Sequence, residues 1–497
     1  MIQVNCTQVL KKQKNFWSNI HFHPTDAIED AWGQRILDEA AKDGAAQTVR
    51  MYAMLEDIVT MDESGNLQYD FTLNDIRMDY MLSRGFGLLV SYNFIPACIA
   101  IDPTETNSNS KNKLRYKGKT IIASPPRDYA LWEEICYVYT KHIVERYGLE
   151  NVSTWYLQCF NEPDIPNYFL KKETDIHKRA QEYLKLYRGF QSAIRRVSEK
   201  LRAGGPALAH NLVFLNDFLN GVRQEGLKFD FYCGHTYGTS PQMLNSGERP
   251  YHIMNNLERI CAQCNILAQS GFAETPVIFD EWGASCCGFW NREECPALML
   301  REDSRFAAYF GKLITACVRE NLPIEKLMIC LSGQHEMVTD FSGFRNLFTL
   351  NFFKKPIYNA YVLAAKLYEN VLEAQCGTEG AEVLATADDA GRISVLVSYA
   401  SAQFDRAMPP LAQTLTLNGV SGRRSVTVWC IDEAHTNPYT RMLREGMDEG
   451  KLFGQEIALL REEGCLKPVL TCSAEADGCL EIPLEATNNA LLLVQVD

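Results

Sequence analysis

The sequence predicts an α/β protein, a (β/α)8 TIM barrel with an accessory β-sandwich. Two observations carry that expectation. Between residues 16 and 366, short β-rich runs alternate with long helical patterns, as βα units around a parallel sheet do. From residue 367 onward the helical spacing gives way to short alternating segments separated by Gly, Asn, Asp and Pro, as in a sandwich. A chain of 497 residues, 46% hydrophobic, has enough apolar surface to build more than one core.

Eight runs supply the barrel strands in order: NIHFHP (19–24), TVRMY (48–52), GLLVSYN (87–93), STWYLQCF (153–160), RAGGPA (202–207), FDFYCGH (229–235), PVIFDE (276–281) and KLMICLSG (326–333). Several lack strict alternation because a parallel strand is covered on both faces. Between the fourth and fifth runs, Tyr183, Tyr187, Phe190, Ile194, Val197 and Leu201 step by four and three, which predicts one apolar face along a long helix. Gly204 and Gly205 are expected to punctuate its end. Phe306, Phe310, Leu313 and Cys317 repeat the spacing after the seventh run. ISVLVSYA, QTLTLN, VTVWCI, CLEIPL and NALLLVQV supply the sandwich, and MIQVNCTQVL is expected to add an edge strand to it. The expected division is therefore a barrel over 16–366 and a sandwich over 367–497, with 1–15 joining the latter.

Lys plus Arg number 49 against 62 for Asp plus Glu, and the net charge of -13 is spread along the chain. That disfavours nucleic acid and anionic membrane surfaces as partners. The N-terminus, MIQVNCTQVLKKQKNFW, has no apolar run of signal-peptide length before its lysines and no stretch elsewhere reaches membrane-spanning length, so a cytoplasmic protein is expected, and its 17 Cys read as reduced thiols. Cys261 and Cys264 form a C-x-x-C and Cys286 and Cys287 are adjacent, but no second pair follows at zinc-site spacing. Neither a cofactor nor a metal is implied, and a homo-oligomer is compatible with this composition.

In a barrel of this kind chemistry gathers at the C-terminal ends of the strands. Strand four ends in Asn161 and Glu162, strand six in His235 and Tyr237, strand seven in Glu281 and Trp282, and strand two in Arg50 and Tyr52. Two glutamates from different strands at one barrel mouth are the pair that glycosidic bond cleavage needs, one to protonate the leaving oxygen and one to attack carbon. Their environments must differ, because a carboxyl kept protonated needs burial or a neighbouring negative charge, whereas an ionised one needs cations or donors. Arg50 and Tyr237 are positioned to serve Glu281 in that way, which makes Glu281 the nucleophile and Glu162 the acid and base. Arg50, Tyr52, His23 and Trp282 join Asn161, His235 and Tyr237 as candidate sugar contacts. Phe94, Tyr168, Phe169 and Trp290 are further aromatics near these loops.

The ordered set NEP, HTY and DEWG resembles the strand-end motifs of the clan A retaining glycoside hydrolases, and the whole chain resembles glycoside hydrolase family 39, the family of β-xylosidases and α-L-iduronidases. NFWSNIHFHP, AAQTVRMYAMLEDIV, RYGLENVSTWYLQCFNEPD, FDFYCGHTYG, PVIFDEWGAS and VTVWCIDEAHTNPYTRM carry the likeness. It implies that Glu162 is the general acid/base, that Glu281 is the nucleophile, that Asn161 holds the sugar 2-hydroxyl and that His235 and Tyr237 line the subsite. It further implies retention by double displacement, by an exo-glycosidase of β-xylosidase type acting on oligosaccharides or glycosides, with α-L-iduronidase-like or arabinosidase-like specificity as alternatives. Where family members commonly carry a histidine two residues after the strand-two arginine, this chain has Tyr52. Strand eight is followed by Gln334, His335 and Glu336 in place of an aromatic-rich segment. Two rivals are a metal-dependent barrel hydrolase built on His21, His23 and His235, and a non-catalytic carbohydrate-binding protein.

Overall fold

A computed structural model describes residues 1–22, 28–107, 121–288, 290–332 and 337–497. Eight parallel strands close into a barrel in strict chain order: β2 (Asn19–Phe22), β3 (Thr48–Met54), β6 (Gly87–Asn93), β7 (Tyr156–Cys159), β8 (Ala203–Leu208), β9 (Phe231–Tyr237), β10 (Val277–Gly283) and β11 (Ile324–Leu331). Each overlaps the run expected for it. The short hairpin of β4 (Val59–Met61) and β5 (Leu67–Tyr69) decorates the connection after β3.

The helix Ile176–Val197 forms where the apolar spacing places it, capped by Asp175, whose carboxylate accepts from the backbone N–H groups of His177 and Lys178. It stops at Ser198, short of the expected glycines. Gly204 and Gly205 instead lie inside β8, where a side chain cannot fit: a Cβ on Gly204 would fall 2.3 Å from the Phe231 carbonyl oxygen, and one on Gly205 2.8 Å from the Tyr183 hydroxyl.

The C-terminal strands are β12 (Asn370–Cys376), β13 (Ala381–Ala387), β14 (Ile393–Tyr399), β15 (Leu411–Ile431), β16 (Pro468–Ala486) and β17 (Ala490–Val496). QTLTLN and VTVWCI, read as separate strands, belong to the single long β15. A register shift between Asn418 and Ser421 bends it, so that Leu415–Asn418 pairs with β1 (Ile2–Lys12) and Val426–Ile431 with β17. The N-terminal strand is not an edge. It pairs antiparallel with β12 and parallel with β15, and so closes β1, β12, β13, β14, β17 and β15 into a ring, with β16 paired along β15. Ile2, Val4, Val395, Leu415, Val428, Leu480 and Leu492 fill the space inside.

Barrel and second sheet share the helix Ser304–Arg319, which is buried on nearly every face because it packs on the barrel and on β14 and β17. Gly311 permits that approach, since a Cβ there would fall 2.2 Å from Ser398 Oγ and 2.4 Å from a Leu491 methyl.

Candidate active site

The apolar run of β7 ends abruptly because the backbone turns sharply there. Phe160 and Glu162 both adopt left-handed conformations, with φ of 66° and 49°, each costing about 1–2 kcal/mol for a residue with a side chain. Neighbouring strands hold the turn: Ser91 Oγ donates to the Phe160 carbonyl at 3.0 Å and Glu162 N–H to the Ala207 carbonyl at 3.0 Å. The Asp164 carboxylate then accepts from the backbone N–H groups of Ala209, His210 and Asn211 at 2.8, 2.9 and 2.9 Å, tying this loop to the one after β8. Of the acids in NEPD, then, Asp164 is structural. Glu162 is aimed at the barrel mouth.

The second carboxyl is positioned by a different device. A register shift between Phe279 and Glu281 against β9 leaves Asp280 as the extra residue, and the carboxylates of Asp280 and Glu281 both reach the barrel interior. Trp282 therefore faces outward. It is fully buried, its Nε1 donates to the Tyr361 hydroxyl at 2.8 Å, and its ring stacks on Phe310 at 5.7 Å. The expectation that Trp282 contacts sugar is corrected by this geometry, since the ring is sealed beneath the helix Ser304–Arg319.

Arg50 is the hub of the site. With no exposed surface, its guanidinium donates to Gln158 Oε1 at 3.0 Å, Asn161 Oδ1 at 2.7 Å and Glu281 Oε1 at 2.8 Å, and pairs with Asp280 Oδ2 at 2.9 Å. Tyr52 adds its hydroxyl to Glu281 Oε1 at 3.3 Å, and His21 Nε2 lies 3.4 Å from the same oxygen. The other oxygen, Oε2, accepts from the Tyr237 hydroxyl at 2.6 Å. Burial alone would raise the Glu281 carboxyl, but the cations of His235, His21, Arg50 and Arg345 outweigh it and hold that carboxyl well below the usual carboxylate range.

Glu162 sits in the opposite electrostatic condition. Burial, reinforced by the charges of Glu281 and Asp164, pushes its carboxyl up against the opposing influence of His235. His235 bridges the two, with Nδ1 2.8 Å from Glu162 Oε1 and Nε2 3.6 Å from Glu281 Oε1. Burial would lower the imidazole, but Glu281, Asp280 and Glu162 together bring it up to about 10, so the ring is cationic at neutral pH. One oxygen of Glu162, one of Glu281 and a nitrogen of His235 lie within 4.8 Å of one another. A retaining pair stands about 5–5.5 Å apart, whereas an inverting pair leaves room for a water at about 6.5–9.5 Å.

The structure thus brings together Asn161, Glu162, Arg50, Tyr52, His235, Tyr237 and Glu281. His23, Gln334, His335 and Glu336 lie outside the described residues. Sequence reasoning missed Gln158, Asp280 and Arg345. Gln158 carried a signal, being a polar residue inside an apolar strand, and its Nε2 donates to Asp280 Oδ2 at 2.7 Å. Arg345 carried none: it follows β11 in irregular chain, yet its guanidinium donates to the Tyr237 hydroxyl and, at 3.0 Å, to Ser332 Oγ. Phe94 and Phe169 are buried, Phe94 stacking on Tyr168. The tyrosine keeps its place by the carboxyls, its phenol raised by burial and then by Glu162 and Glu281. Lys171 and Lys172 bind the Thr106 carbonyl and the Asp102 and Glu105 carboxylates, fastening loops together.

Two carboxyls of opposed proton affinity, close across the mouth of a (β/α)8 barrel, define a retaining glycoside hydrolase. Comparison with known proteins gives the family: the family model for Glycosyl hydrolases family 39 matches residues 1–463. The chain is similar to a β-xylosidase of Caldicellulosiruptor saccharolyticus, 24% identical over 464 residues, which is 90% of this chain and 88% of that one. It is also similar to the α-L-iduronidase of Canis lupus familiaris, 24% identical over 307 residues, 56% of this chain and 41% of that one. Among solved structures, a monomeric β-xylosidase from Caulobacter crescentus CB15 superposes with a TM-score of 0.82 at 19% identity, covering 100% of this chain and 99% of the other. The chain belongs to glycosyl hydrolases family 39. Among the described residues, no helix is long and apolar enough to cross a membrane.

Proposed function

We propose that this enzyme is an exo-acting, β-xylosidase-like glycosidase in which Glu281 is the nucleophile and Glu162 the general acid and base. The observation that carries the reading is the opposed tuning of two carboxyls whose nearest oxygens lie within 4.8 Å. In the first step Glu162 gives its proton to the glycosidic oxygen as the bond to the anomeric carbon breaks, and a Glu281 oxygen forms an ester to that carbon. In the second, Glu162, now a carboxylate, takes a proton from water, whose oxygen displaces Glu281 and restores both groups.

Asn161, held by Arg50, is the partner for the sugar 2-hydroxyl, a contact that tightens as the anomeric carbon becomes cationic. His235, Tyr237, Arg50 and Tyr52 orient the two carboxyls. A β-xylosidase-like specificity is supported by the extent of the likeness, since the β-xylosidase match spans 90% of this chain and the iduronidase match 56%. A cytoplasmic site of action is supported by the seventeen cysteines, all of them free thiols. The division into a catalytic unit over 16–366 and an accessory unit over 367–497 with 1–15 belongs to the same reading.

The test is covalent trapping with a slow 2-deoxy-2-fluoro xyloside bearing a good leaving group. The reading expects one sugar mass on the peptide containing Glu281 and none in Glu281→Ala. A label on any other residue, or endo-type products from a defined xylo-oligosaccharide, overturns the corresponding part.

A further inference from the structure

The loop that follows Glu281 carries Cys286 and Cys287, two adjacent thiols the glycosidase reaction does not use. Their sulfurs stand 3.7 Å apart and both residues are half-buried. The loop is fixed on both sides. Arg301 donates to the carbonyls of Ser285 and Cys286 at 3.0 and 3.1 Å, and Trp290 N–H to the Cys287 carbonyl at 3.2 Å. Cys287 itself is left-handed, with φ of 57°. The next residue, Gly288, is pressed against the machinery: a Cβ there would fall 1.9 Å from Ser332 Oγ and 2.3 Å from an Arg345 nitrogen. Arg345 holds the hydroxyl of Tyr237, and Tyr237 holds Glu281. A covalent change at the cysteine pair is therefore mechanically connected to the attacking carboxylate.

We propose that Cys286 and Cys287 form a modification site on the loop after Glu281, oxidised by hydroperoxides to a vicinal disulfide that slows the glycosidase and reopened by thiol reductants. The Cys287 sulfur attacks one peroxide oxygen, the O–O bond breaks, and the thiol becomes a sulfenic acid as the other oxygen leaves as water or alcohol. The Cys286 sulfur then attacks that sulfenic sulfur, the S–O bond breaks, and the oxygen departs as water, giving one disulfide for one peroxide.

The roles follow from the surroundings. The hydrogen bond from Cys286, helped by the Arg345 and Arg301 guanidiniums, outweighs burial and brings the Cys287 thiol down to about 7, while its bonded partner stays well above the usual thiol range. Reversibility follows from geometry. Cα atoms about 3.8 Å apart across a trans peptide are closer than the roughly 4.4–6.8 Å of ordinary disulfides, and a strained disulfide is the more easily reduced.

The experiment treats the full-length enzyme with hydrogen peroxide and then with dithiothreitol. It follows turnover of an aryl glycoside and, by differential alkylation and mass spectrometry, the state of each cysteine. Cys286→Ala/Cys287→Ala and Cys286→Ser are run in parallel, each against its own untreated rate. The expected result is loss of two hydrogens from the 286–287 pair with a roughly 10- to 100-fold fall in wild-type turnover, reversed by dithiothreitol. The double variant should hold its rate under peroxide. In Cys286→Ser, with no resolving thiol, a second peroxide oxidises the Cys287 sulfenic acid to sulfinic acid, its other oxygen leaving as water. Since dithiothreitol does not reduce a sulfinic acid, the variant should lose activity without full recovery. A wild-type pair that stays alkylatable, an oxidised pair with undiminished turnover, or a double variant inactivated in the same proportion overturns the proposal. The thiol state is read by mass without any sugar, so it stands or falls apart from the assignment of substrate.

Discussion

Tyr237 donates its hydroxyl hydrogen to Oε2 of Glu281 at 2.6 Å while Arg345 donates to the same phenolic oxygen. Because Arg345 holds the acceptor side of that hydroxyl, its hydrogen is committed to the carboxylate. Tyr237→Phe removes one hydrogen bond to a charged acceptor, worth about 1.5–3 kcal/mol, so kcat/KM should fall roughly 10- to 100-fold. Arg345→Met acts in part through the same bond and in part by removing a charge that favours ionised Glu281. In a double-mutant cycle the second substitution should therefore cost clearly less on the Tyr237→Phe background than alone, and strict additivity would contradict the relay.

Arg50 compensates two buried carboxylates, Asp280 and Glu281, at once. Arg50→Met strands both charges, and urea denaturation should show a loss of about 3–5 kcal/mol. Arg50→Lys restores charge but not the planar fork that meets Gln158, Asn161 and Glu281 together, so it should recover stability only in part and activity hardly at all.

The opposed tuning of the two glutamates fixes the pH profile. Glu281 must be ionised, and its carboxyl lies well below the ordinary range, so activity is lost on the acid side only as pH falls through that depressed value. Glu162 must be protonated for the first step, and its carboxyl is raised, so activity is lost on the basic side as pH rises through it. His235, at about 10, keeps its charge across the bell. Glu162→Gln, assayed on a substrate whose leaving group needs no proton, should lose the basic limb and keep the acid one.

Glu162→Ala should spare activated aryl glycosides far more than natural substrates, and azide should restore turnover by taking the place of activated water. The product would be the glycosyl azide with the starting anomeric configuration. An azide product of inverted configuration, or no rescue, would remove Glu162 from its role.

In the bend that follows β15, Asp432 accepts from the backbone N–H groups of Ala434, His435 and Thr487 and from the His435 ring. Burial opposes ionisation, but these donors prevail and bring its carboxyl down to about 2. A folded value below the unfolded one contributes stability that is present above the unfolded pKa and lost as pH falls through the folded one. Asp432→Asn should therefore cost about 2 kcal/mol near neutral pH, and thermal midpoints of variant and wild type should converge as pH approaches the folded value.

Much of this was legible in the chain. The barrel strands announced themselves because a strand buried on both faces needs an uninterrupted apolar run, and polar residues at the ends of those runs, Asn161, Glu162, His235, Tyr237 and Glu281, have to point somewhere functional or into solvent. Local pattern also gave the helix Ile176–Val197. It did not give the true place of Gly204 and Gly205, because a glycine required by the approach of another strand looks the same in sequence as one that ends a helix.

What the sequence by itself determined is the fold class, the ordered strand-end motifs and, through them, the pair of carboxyls that could do the chemistry. Only the tertiary structure decided which side chains those carboxyls answer to. The bulge at Asp280 turned Trp282 into the core, and chain closure set Arg50, Gln158, Tyr237 and Arg345, residues far apart in sequence, around one carboxylate. The physical reason is that periodicity records which face of an element is apolar, whereas proton affinity depends on charges and donors within a few ångströms, and those are chosen by strands that meet only when the barrel closes.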